Sequence, residues 1–362
     1  MTARTRLRPI LVLVVVLATV AGTVATPVAG AGTAQTTDCS FPVTVTDATG
    51  TEVTIQSEPE TVVTAAPSAA QTMWEIGARE KVIGLTKYAD YLEGSSSRTN
   101  VSGGGLSYVV VEEVVALDPD LVLAPNVIGN QTVEKLRQSG LTVVRFSKAR
   151  SLADVAEKTR RIGRLVGACE GANERAREMK RSLERVREAV AGTERPPVLY
   201  YMGGSYTAGS GTFIHAVIET AGGRNVAAAA GIRGYRRISS EVVVTRDPSW
   251  ILRSSNAGPL PDAYNQTTAV QSGQVLTLNA DYLNQPAPRT VAVVERLAKT
   301  LHPEAFAAAN RTTTTTTATE TTTRSTSETT SQSTTSTSTP GLGVVTALAS
   351  LTLLAAGIRL RG

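Results

Sequence analysis

The stretch VVVEEVVALDPDLVLAPN, residues 109–126, is repeated in outline by ISSEVVVTRDPSWILRSSN, residues 238–256. Each stretch has a glutamate before a short apolar run, then Asp-Pro and one further residue, then a second apolar run. This pattern indicates a short helix that stops at Asp-Pro and leads into a buried strand, since proline cannot continue a helix. The chain therefore contains the same helix-to-strand unit twice, about 130 residues apart.

Strands alternate with short helices on both sides of these units. Residues 41–56 have a hairpin pattern, and the alternation that follows is interrupted only by a helical pattern that begins at the N-cap residue Ser151. Such alternation implies parallel sheets that are covered on both faces. We predict an α/β fold with two Rossmann-like lobes, residues 39–150 and 195–303. A long interdomain helix over residues 151–192 joins them, with Gly167 and Gly171 as points where it would divide.

The N-terminal end carries a targeting pattern. Three arginines, at positions 4, 6 and 8, precede an apolar run over residues 10–21, and small residues follow. A basic start, a short apolar run and a small-residue cleavage site are typical of a secretory signal peptide. We assign residues 1–34 as this signal peptide and expect the protein to be exported.

A threonine-rich segment and an apolar run occupy the C-terminal end. Seventeen of the 29 residues from 311 to 339 are threonine, a composition that favours an extended, solvated stalk. Residues 341–358 are apolar and would span roughly 27 Å as a helix, and two arginines follow them. We expect residues 340–362 to anchor the protein at the extracellular face of the cell membrane.

Pro340 and Gly341 make this tail similar to the archaeal C-terminal sorting signal, in which a Pro-Gly-Phe motif precedes a hydrophobic helix and basic residues. Leu342 stands where that motif has phenylalanine. The resemblance implies that the helix is removed and replaced by a lipid. A plain transmembrane anchor is the alternative.

The net charge of +5 arises from the two ends of the chain. Between residues 31 and 310 there are 29 basic and 29 acidic side chains, so this part carries no electrostatic footprint for nucleic acid. In an exported protein the cysteine pair Cys39 and Cys169 predicts a disulfide, with two free thiols as the alternative. Four N-x-S/T sequons predict surface glycosylation, and they begin at Asn100, Asn130, Asn265 and Asn310.

Sequence motifs of the common enzyme classes are absent. The chain has no G-x-S-x-G, no G-x-x-x-x-G-K-[ST] and no H-E-x-x-H, and its only histidines are His215 and His302. We predict no catalytic residue, no metal site and no resident cofactor. An enzyme that acts without these motifs is the least favoured alternative.

Five of the nine tyrosines fall in loops that follow the predicted strands. Ligands of open α/β sheets bind beyond the carboxyl ends of the strands, where these loops meet. A tyrosine ring offers a flat apolar face and a polar tip, which suits a large, partly planar ligand. We predict a ligand cleft between the lobes. At each position, a tyrosine that only covers a loop end is the alternative.

Several stretches resemble the extracytoplasmic substrate-binding proteins of ABC importers for cobalamin, haem and iron–siderophore complexes. The resemblance covers residues 41–302, and its clearest stretches are TVVTAAPSAAQTMWEIGAREKVIGLTKYADY, VEEVVALDPDLVLAP, GTFIHAVIETAGGRNV, YRRISSEVVVTRDPSWI and DYLNQPAPR. It implies two α/β lobes joined by a rigid interdomain helix. It also implies a monomer that delivers its ligand to an ABC permease dimer with ATPase subunits.

The resemblance also implies a role for the repeated unit, because such proteins present one glutamate on each lobe to basic pockets of the permease. Glu112 and Glu241 match these positions, with Glu113 as the substitute in the first lobe. Ion pairs on both lobes would fix the orientation of a two-fold partner. The alternative is that both carboxylates only stabilise the N-termini of their helices.

Cobalamin or a related corrinoid is the ligand that the resemblance favours. Tyr88, Tyr235 and Asp281 align with cobalamin-contacting positions, while the first-lobe loop SGGGLSY lacks the tryptophan of the family and has Tyr108 in its place. The predicted ligand-binding residues are Tyr88, Tyr108, Tyr206, Tyr235, Arg236, Asp281 and Tyr282. Arg236 and Arg237 would equally suit an anionic ferric siderophore, so a ferric siderophore or haem is the alternative ligand. A surface sensor or adhesion module without transport is the alternative of another class.

Overall fold

A computed structural model of the chain describes residues 39–104 and 109–308. The predicted signal peptide, stalk and C-terminal anchor lie outside these residues, as do Tyr108 and the sequon at Asn310. Among the described residues, no helix has the length and apolar character that crossing a membrane would require.

The first lobe begins with an antiparallel hairpin and continues with a parallel sheet. The hairpin strands are β1 (Val43–Thr46) and β2 (Glu52–Ile55). The parallel strands are β3 (Val62–Thr64), β4 (Val82–Leu85), β5 (Thr99–Asn100), β6 (Leu121–Ala124) and β7 (Val143–Arg145). The helices are α1 (Pro67–Glu75), α2 (Val111–Ala116) and α3 (Asn130–Gln138).

Hydrogen bonds order the parallel strands β5-β4-β3-β6-β7. Every residue of β3 and β6 is buried, which explains why these segments read as unbroken apolar runs in the sequence. Residues of α1 pack on one face of the sheet, and residues of α2 and α3 pack on the other. The carboxyl ends of the strands are thereby left free to face a ligand.

The segment that the sequence predicted as one long interdomain helix is two helices. They are α4 (Leu152–Leu165) and α5 (Cys169–Ala189). The chain divides at Gly167, one of the two glycines named from the sequence as points of division, because Gly167 has φ 76°, a left-handed conformation that ends helices. The predicted N-cap is confirmed: the Ser151 Oγ accepts a hydrogen bond from the Asp154 backbone N–H at 3.1 Å.

Small residues let α4 and α5 pack closely against each other. A Cβ atom added at Gly163 would lie 2.2 Å from the Cβ atom of Ala172, so no larger residue fits there without movement. The predicted disulfide between Cys39 and Cys169 is confirmed. It ties the beginning of the first lobe to the first residue of α5.

The second lobe is built on a four-stranded parallel sheet and a smaller antiparallel pair. Its strands are β8 (Pro197–Tyr201), β9 (Tyr206–Ala208), β10 (Arg224–Asn225), β11 (Tyr235–Arg237), β12 (Trp250–Ser254) and β13 (Val275–Leu278). Its helices are α6 (Phe213–Thr220), α7 (Val226–Ala229), α8 (Ser240–Arg246), α9 (Thr268–Gln271), α10 (Ala280–Leu283) and α11 (Thr290–Leu301).

The two parallel sheets have equivalent topologies. The second sheet has the strand order β10-β8-β12-β13, which matches β4-β3-β6-β7 in the first. In the first lobe, helix α2 of the repeated unit leads into β6, which pairs with the first parallel strand, β3. In the second lobe, helix α8 leads into β12, which pairs with the first parallel strand, β8. The repetition seen in the sequence is therefore a repetition of structure.

Both Asp-Pro motifs reverse the chain with the same backbone conformation. Asp118 has φ 45° and Asp247 has φ 40°, in the left-handed region that aspartate tolerates better than most residues. One buried valine in each helix, Val114 or Val243, anchors it to the core of its lobe. The repeated unit thus encodes an anchored helix, a sharp reversal and a buried strand.

Candidate ligand cleft

A cleft of about 490 Å³ lies between the two lobes, beyond the carboxyl ends of the strands. The first lobe contributes the start of α1 and the loop after β4, and the second lobe contributes the loop after β12 and the α10 segment. The lining residues are Pro67, Lys87, Tyr88, Asp90, Asn256, Ala280, Asp281, Asn284 and Gln285. Ligands of open α/β sheets bind in this position.

Two of the residues predicted from the sequence, Tyr88 and Asp281, line this cleft from opposite lobes. The Tyr88 side chain is prominently exposed, and the Lys87 ammonium lies 5.5 Å from the centroid of its ring. Burial, together with the nearby Asp90 carboxylate, raises the pKa of Asp281. The cleft therefore presents an aromatic face, a cation and two carboxyl groups, those of Asp90 and Asp281.

The floor of the cleft is a chain of hydrogen bonds in the second lobe. The Tyr200 hydroxyl donates to the Asn284 Oδ1 at 2.7 Å, and the Asn284 Nδ2 donates to the Ser254 Oγ at 3.0 Å. The Ser254 hydroxyl donates in turn to the Asn256 Oδ1 at 2.7 Å. Neither asparagine was predicted from the sequence as a site residue, although the stretch DYLNQPAPR contains Asn284. These hydrogen bonds fix the side-chain amides of Asn256 and Asn284 at the surface that a ligand would contact.

Tyr206 and Tyr235 lie on the antiparallel pair of strands β9 and β11. The Arg237 guanidinium lies 5.2 Å from the ring centroid of Tyr206, and the Lys148 ammonium lies 5.3 Å from that of Tyr235. Lys148 belongs to the loop after β7, so its contact with Tyr235 joins the two lobes. Arg236 lies between Tyr235 and Arg237 in β11, and strand alternation places it on the opposite side from them.

The Tyr235 side chain is 36% exposed, so most of its surface is covered by protein. Burial raises the pKa of Tyr235 to about 12. Burial also raises the pKa of the Tyr200 hydroxyl, and the nearby Tyr235 adds to the effect. The Tyr200 hydroxyl also bonds to the cleft residue Asn284. Since Tyr235 is near Tyr200, it lies next to the floor of the cleft.

Tyr282 lies in the interface between the lobes. Its ring packs edge-to-face with Tyr91 at a centroid distance of 6.1 Å, and the Arg289 guanidinium lies 5.5 Å from its centroid. Although its neighbour Asp281 lines the cleft, Tyr282 is not among the lining residues. Its described contacts make it part of the support of the cleft.

One buried glutamine bridges the two lobes beneath the cleft. The Gln71 Nε2 of α1 donates to the Tyr91 hydroxyl at 2.8 Å and to the Asp281 carbonyl at 3.3 Å. Its Oε1 accepts a hydrogen bond from the Arg289 backbone N–H at 3.1 Å. The side chain is fully buried, so these bonds replace those that water would make. Gln71 thereby holds the backbone on either side of the cleft segment 281–289.

Glu112 and Glu241 occupy equivalent positions in the first turns of α2 and α8. Both are exposed, and neither carboxylate forms an ion pair with a described residue. Glu113 is also exposed in the first turn of α2. The structure thus presents one carboxylate at the same corner of each lobe, with a second beside it in the first.

The sequence matches the profile of periplasmic binding proteins over residues 62–282. The chain belongs to the periplasmic binding protein family. Members of this family bind substrates outside the cytoplasm and are not enzymes, so the prediction of a binding protein is confirmed. The described residues also contain no group of three side chains that would hold a metal ion.

Relatives of this chain include proteins that bind cobalamin or vitamin B12. A cobalamin-binding protein of Halobacterium salinarum is 44% identical over 277 residues, which are 73% of this chain and 75% of the relative. The vitamin B12-binding protein BtuF of Vibrio cholerae has a TM-score of 0.60 at 26% identity, over 67% of this chain and 96% of that one.

A second solved structure, the periplasmic heme-binding protein RhuT from Roseiflexus, has a TM-score of 0.62 at 24% identity, over 68% of this chain and 99% of that one. These likenesses confirm the predicted α/β fold with parallel sheets. The 44% identical relative also makes this chain a substrate-binding protein of the class that includes cobalamin-binding proteins.

Proposed function

We propose that the protein captures cobalamin or a related corrinoid in the interlobe cleft and delivers it to an ABC permease dimer with ATPase subunits. The observation that carries this proposal is the cleft itself, in which Tyr88 of one lobe and Asp281 of the other face a common space. A flat aromatic face suits the planar corrin ring, and fixed amide and carboxyl groups suit the amides around its edge. The 44% identical cobalamin-binding relative supports the same ligand.

Delivery to a permease is supported by the equivalent positions of Glu112 and Glu241. A dimeric permease with basic pockets offers two equivalent sites, and a monomer with one exposed carboxylate at the same corner of each lobe matches them. A surface sensor or adhesion module would need neither carboxylate. We therefore favour transport.

We further propose that the C-terminal segment, residues 340–362, holds the protein at the extracellular face of the membrane, with or without replacement of the helix by a lipid. The support for this proposal is the apolar run with its closing arginines. The sequons at Asn100, Asn130 and Asn265 lie at exposed positions, as glycosylation requires. Mass spectrometry of the protein isolated from its own membrane tests both the C-terminal anchor and the glycosylation of these asparagines.

Equilibrium titration of the exported protein with cyanocobalamin, haemin and a ferric hydroxamate siderophore tests the ligand. We expect cyanocobalamin to bind at submicromolar concentration and the other two to bind more weakly. A Tyr88→Ala variant should bind cyanocobalamin about tenfold more weakly, because it loses an aromatic contact with the ring. Tight binding of haemin or the siderophore without binding of cobalamin would contradict the proposal.

A further inference from the structure

Two cations, one from each lobe, flank the exposed tyrosines beside the cleft. The Lys148 ammonium of the first lobe lies over Tyr235, and the Arg237 guanidinium of the second lobe lies over Tyr206. Both basic side chains are exposed. Tyr235 pairs with Ala208 and Arg237 pairs with Tyr206 across β9 and β11, so the tyrosines and Arg237 share one side of this small sheet.

Neither cation forms an ion pair with a described residue. Asp154 and Glu157 line the same recess as Lys148. The Asp154 carboxylate already accepts hydrogen bonds from the backbone N–H groups of Arg150 and Ser151, and neither carboxylate reaches the Lys148 ammonium. The aromatic rings orient the two cations but accept none of their hydrogen bonds in the usual geometry.

We propose that Lys148 and Arg237 form an anion-binding edge of the ligand site, which engages an anionic oxygen group of the bound ligand. This inference rests on the proposed function. In a corrinoid that carries its nucleotide loop the group is the phosphodiester, and in haem it is a propionate carboxylate. Arg237 offers a planar fork of donors to such a group, and Lys148 offers a compact positive charge from the opposite lobe.

The register of β11 distinguishes Arg237 from its neighbour Arg236. Arg236 pairs with the buried Thr207, so it lies on the other side of the small sheet from Tyr235. Arg236 was predicted from the sequence as a ligand-binding residue, and Arg236 and Arg237 together were predicted to suit an anionic siderophore. The structure assigns that role to Arg237.

The test measures binding of cyanocobalamin and of dicyanocobinamide, which lacks the phosphodiester and the nucleotide, to the full protein and to variants of it. Lys148→Gln and Arg237→Gln should each weaken cyanocobalamin binding about threefold to tenfold, and binding of dicyanocobinamide should stay within about twofold. Arg224→Gln, at an exposed edge of the second sheet, is the matched control. All variants should unfold at the wild-type temperature because the substituted side chains are exposed.

The outcomes separate this inference from the proposed function. If the wild type binds cyanocobalamin and both variants bind it equally well, the anion-binding edge is wrong and the proposed function stands. Equal losses for cobinamide, or a loss in Arg236→Gln in place of Arg237→Gln, would also overturn it. If the wild type binds haemin and not cobalamin, the proposed ligand is wrong. The same variants must then weaken haemin binding for the inference to hold.

Discussion

The Arg289 guanidinium donates a hydrogen bond from its Nε to the Glu75 carboxylate at 2.7 Å and so ties the second lobe to α1 of the first. The other carboxylate oxygen of Glu75 lies 3.0 Å from the Arg175 Nε of α5. Glu75 lies one helical turn after Gln71, which contacts the same segment of the second lobe. One face of α1 therefore holds the two lobes together beneath the cleft.

Glu75→Gln should lower the free energy of unfolding by about 1–3 kcal/mol, because it leaves the partly buried Arg289 without a counter-charge and Arg175 with Glu178 as its ion-pair partner. Urea denaturation followed by circular dichroism measures this change. Glu80→Gln is the control, since Glu80 forms its ion pairs with Arg79 and Arg98 while largely exposed. Equal losses of unfolding free energy in the two variants would show that the Glu75 contacts contribute no more to stability than exposed ion pairs do.

Gln71→Ala should weaken ligand binding more than its effect on stability accounts for. The substitution leaves the Asp281 carbonyl and the Arg289 N–H unpaired in a partly buried position, so the cleft segment between them is no longer held in place. We expect an affinity loss of about fivefold or more, with faster dissociation, in stopped-flow binding measurements. Unchanged dissociation in a folded Gln71→Ala protein would contradict this positioning role.

Glu112→Ala together with Glu241→Ala should abolish stable complex formation with the permease and leave ligand affinity unchanged. The reason is that both carboxylates are exposed at equivalent corners and neither is among the residues that line the cleft. Pull-down by the reconstituted transporter measures the first property, and ligand titration measures the second. Glu113→Ala is the comparison, and an equal loss in that variant would move the first-lobe contact to Glu113.

Asp47 should make the first lobe sensitive to acid. Burial opposes its ionisation, but hydrogen bonds from Thr49, from the Arg145 backbone and from Arg137 outweigh burial and lower the pKa of Asp47 to about 2. Because the folded-state pKa lies below the unfolded value of 3.8, the stabilisation is complete above about pH 4. It is lost as the pH falls toward 2.

Asp47→Asn should therefore be less stable than the wild type by about 1–2 kcal/mol at pH 7, with the difference shrinking between pH 4 and pH 2. Thermal unfolding over this pH range measures it. A difference that persists at pH 2 would show that the loss comes from packing of the hairpin and not from the charge.

Removal of the disulfide should destabilise the protein without altering the cleft. The bond joins residues 130 positions apart, so its loss frees a long loop in the unfolded chain and should cost about 2–5 kcal/mol. The double substitution Cys39→Ser with Cys169→Ser should lower the unfolding temperature, and reduction of the wild type should lower it equally. Ligand affinity below that temperature should be unchanged, and a large affinity loss would show that α5 moves when the bond is absent.

The elements of this fold could be predicted because their signals are local. Buried strands such as β6 read as apolar runs, Ser151 and Asp154 formed the expected capping pair, and both Asp-Pro motifs ended a helix. The sequence limited the break between α4 and α5 to Gly167 or Gly171 and did not decide between them. A glycine inside a helical pattern is compatible with a continuous helix, and only the packing of α4 on α5 requires the chain to turn there.

Site residues could be predicted from the sequence only where their position after a strand implied a position at the cleft. Tyr88 and Asp281 follow strands, so they were expected at the cleft, and the structure places them there. Lys148, Asn256 and Asn284 carry no motif, and their importance depends on what another part of the chain brings near them.

The sequence by itself determined that two equivalent α/β lobes form, since hydrophobic periodicity, helix caps and proline act over a few residues. It also determined the matched positions of Glu112 and Glu241, because they lie in the repeated unit. Only the tertiary structure decided which side chains from the two lobes meet, including Gln71 with Asp281 and Lys148 with Tyr235. Such contacts depend on how two separately formed sheets pack and on strand register, which no local pattern encodes.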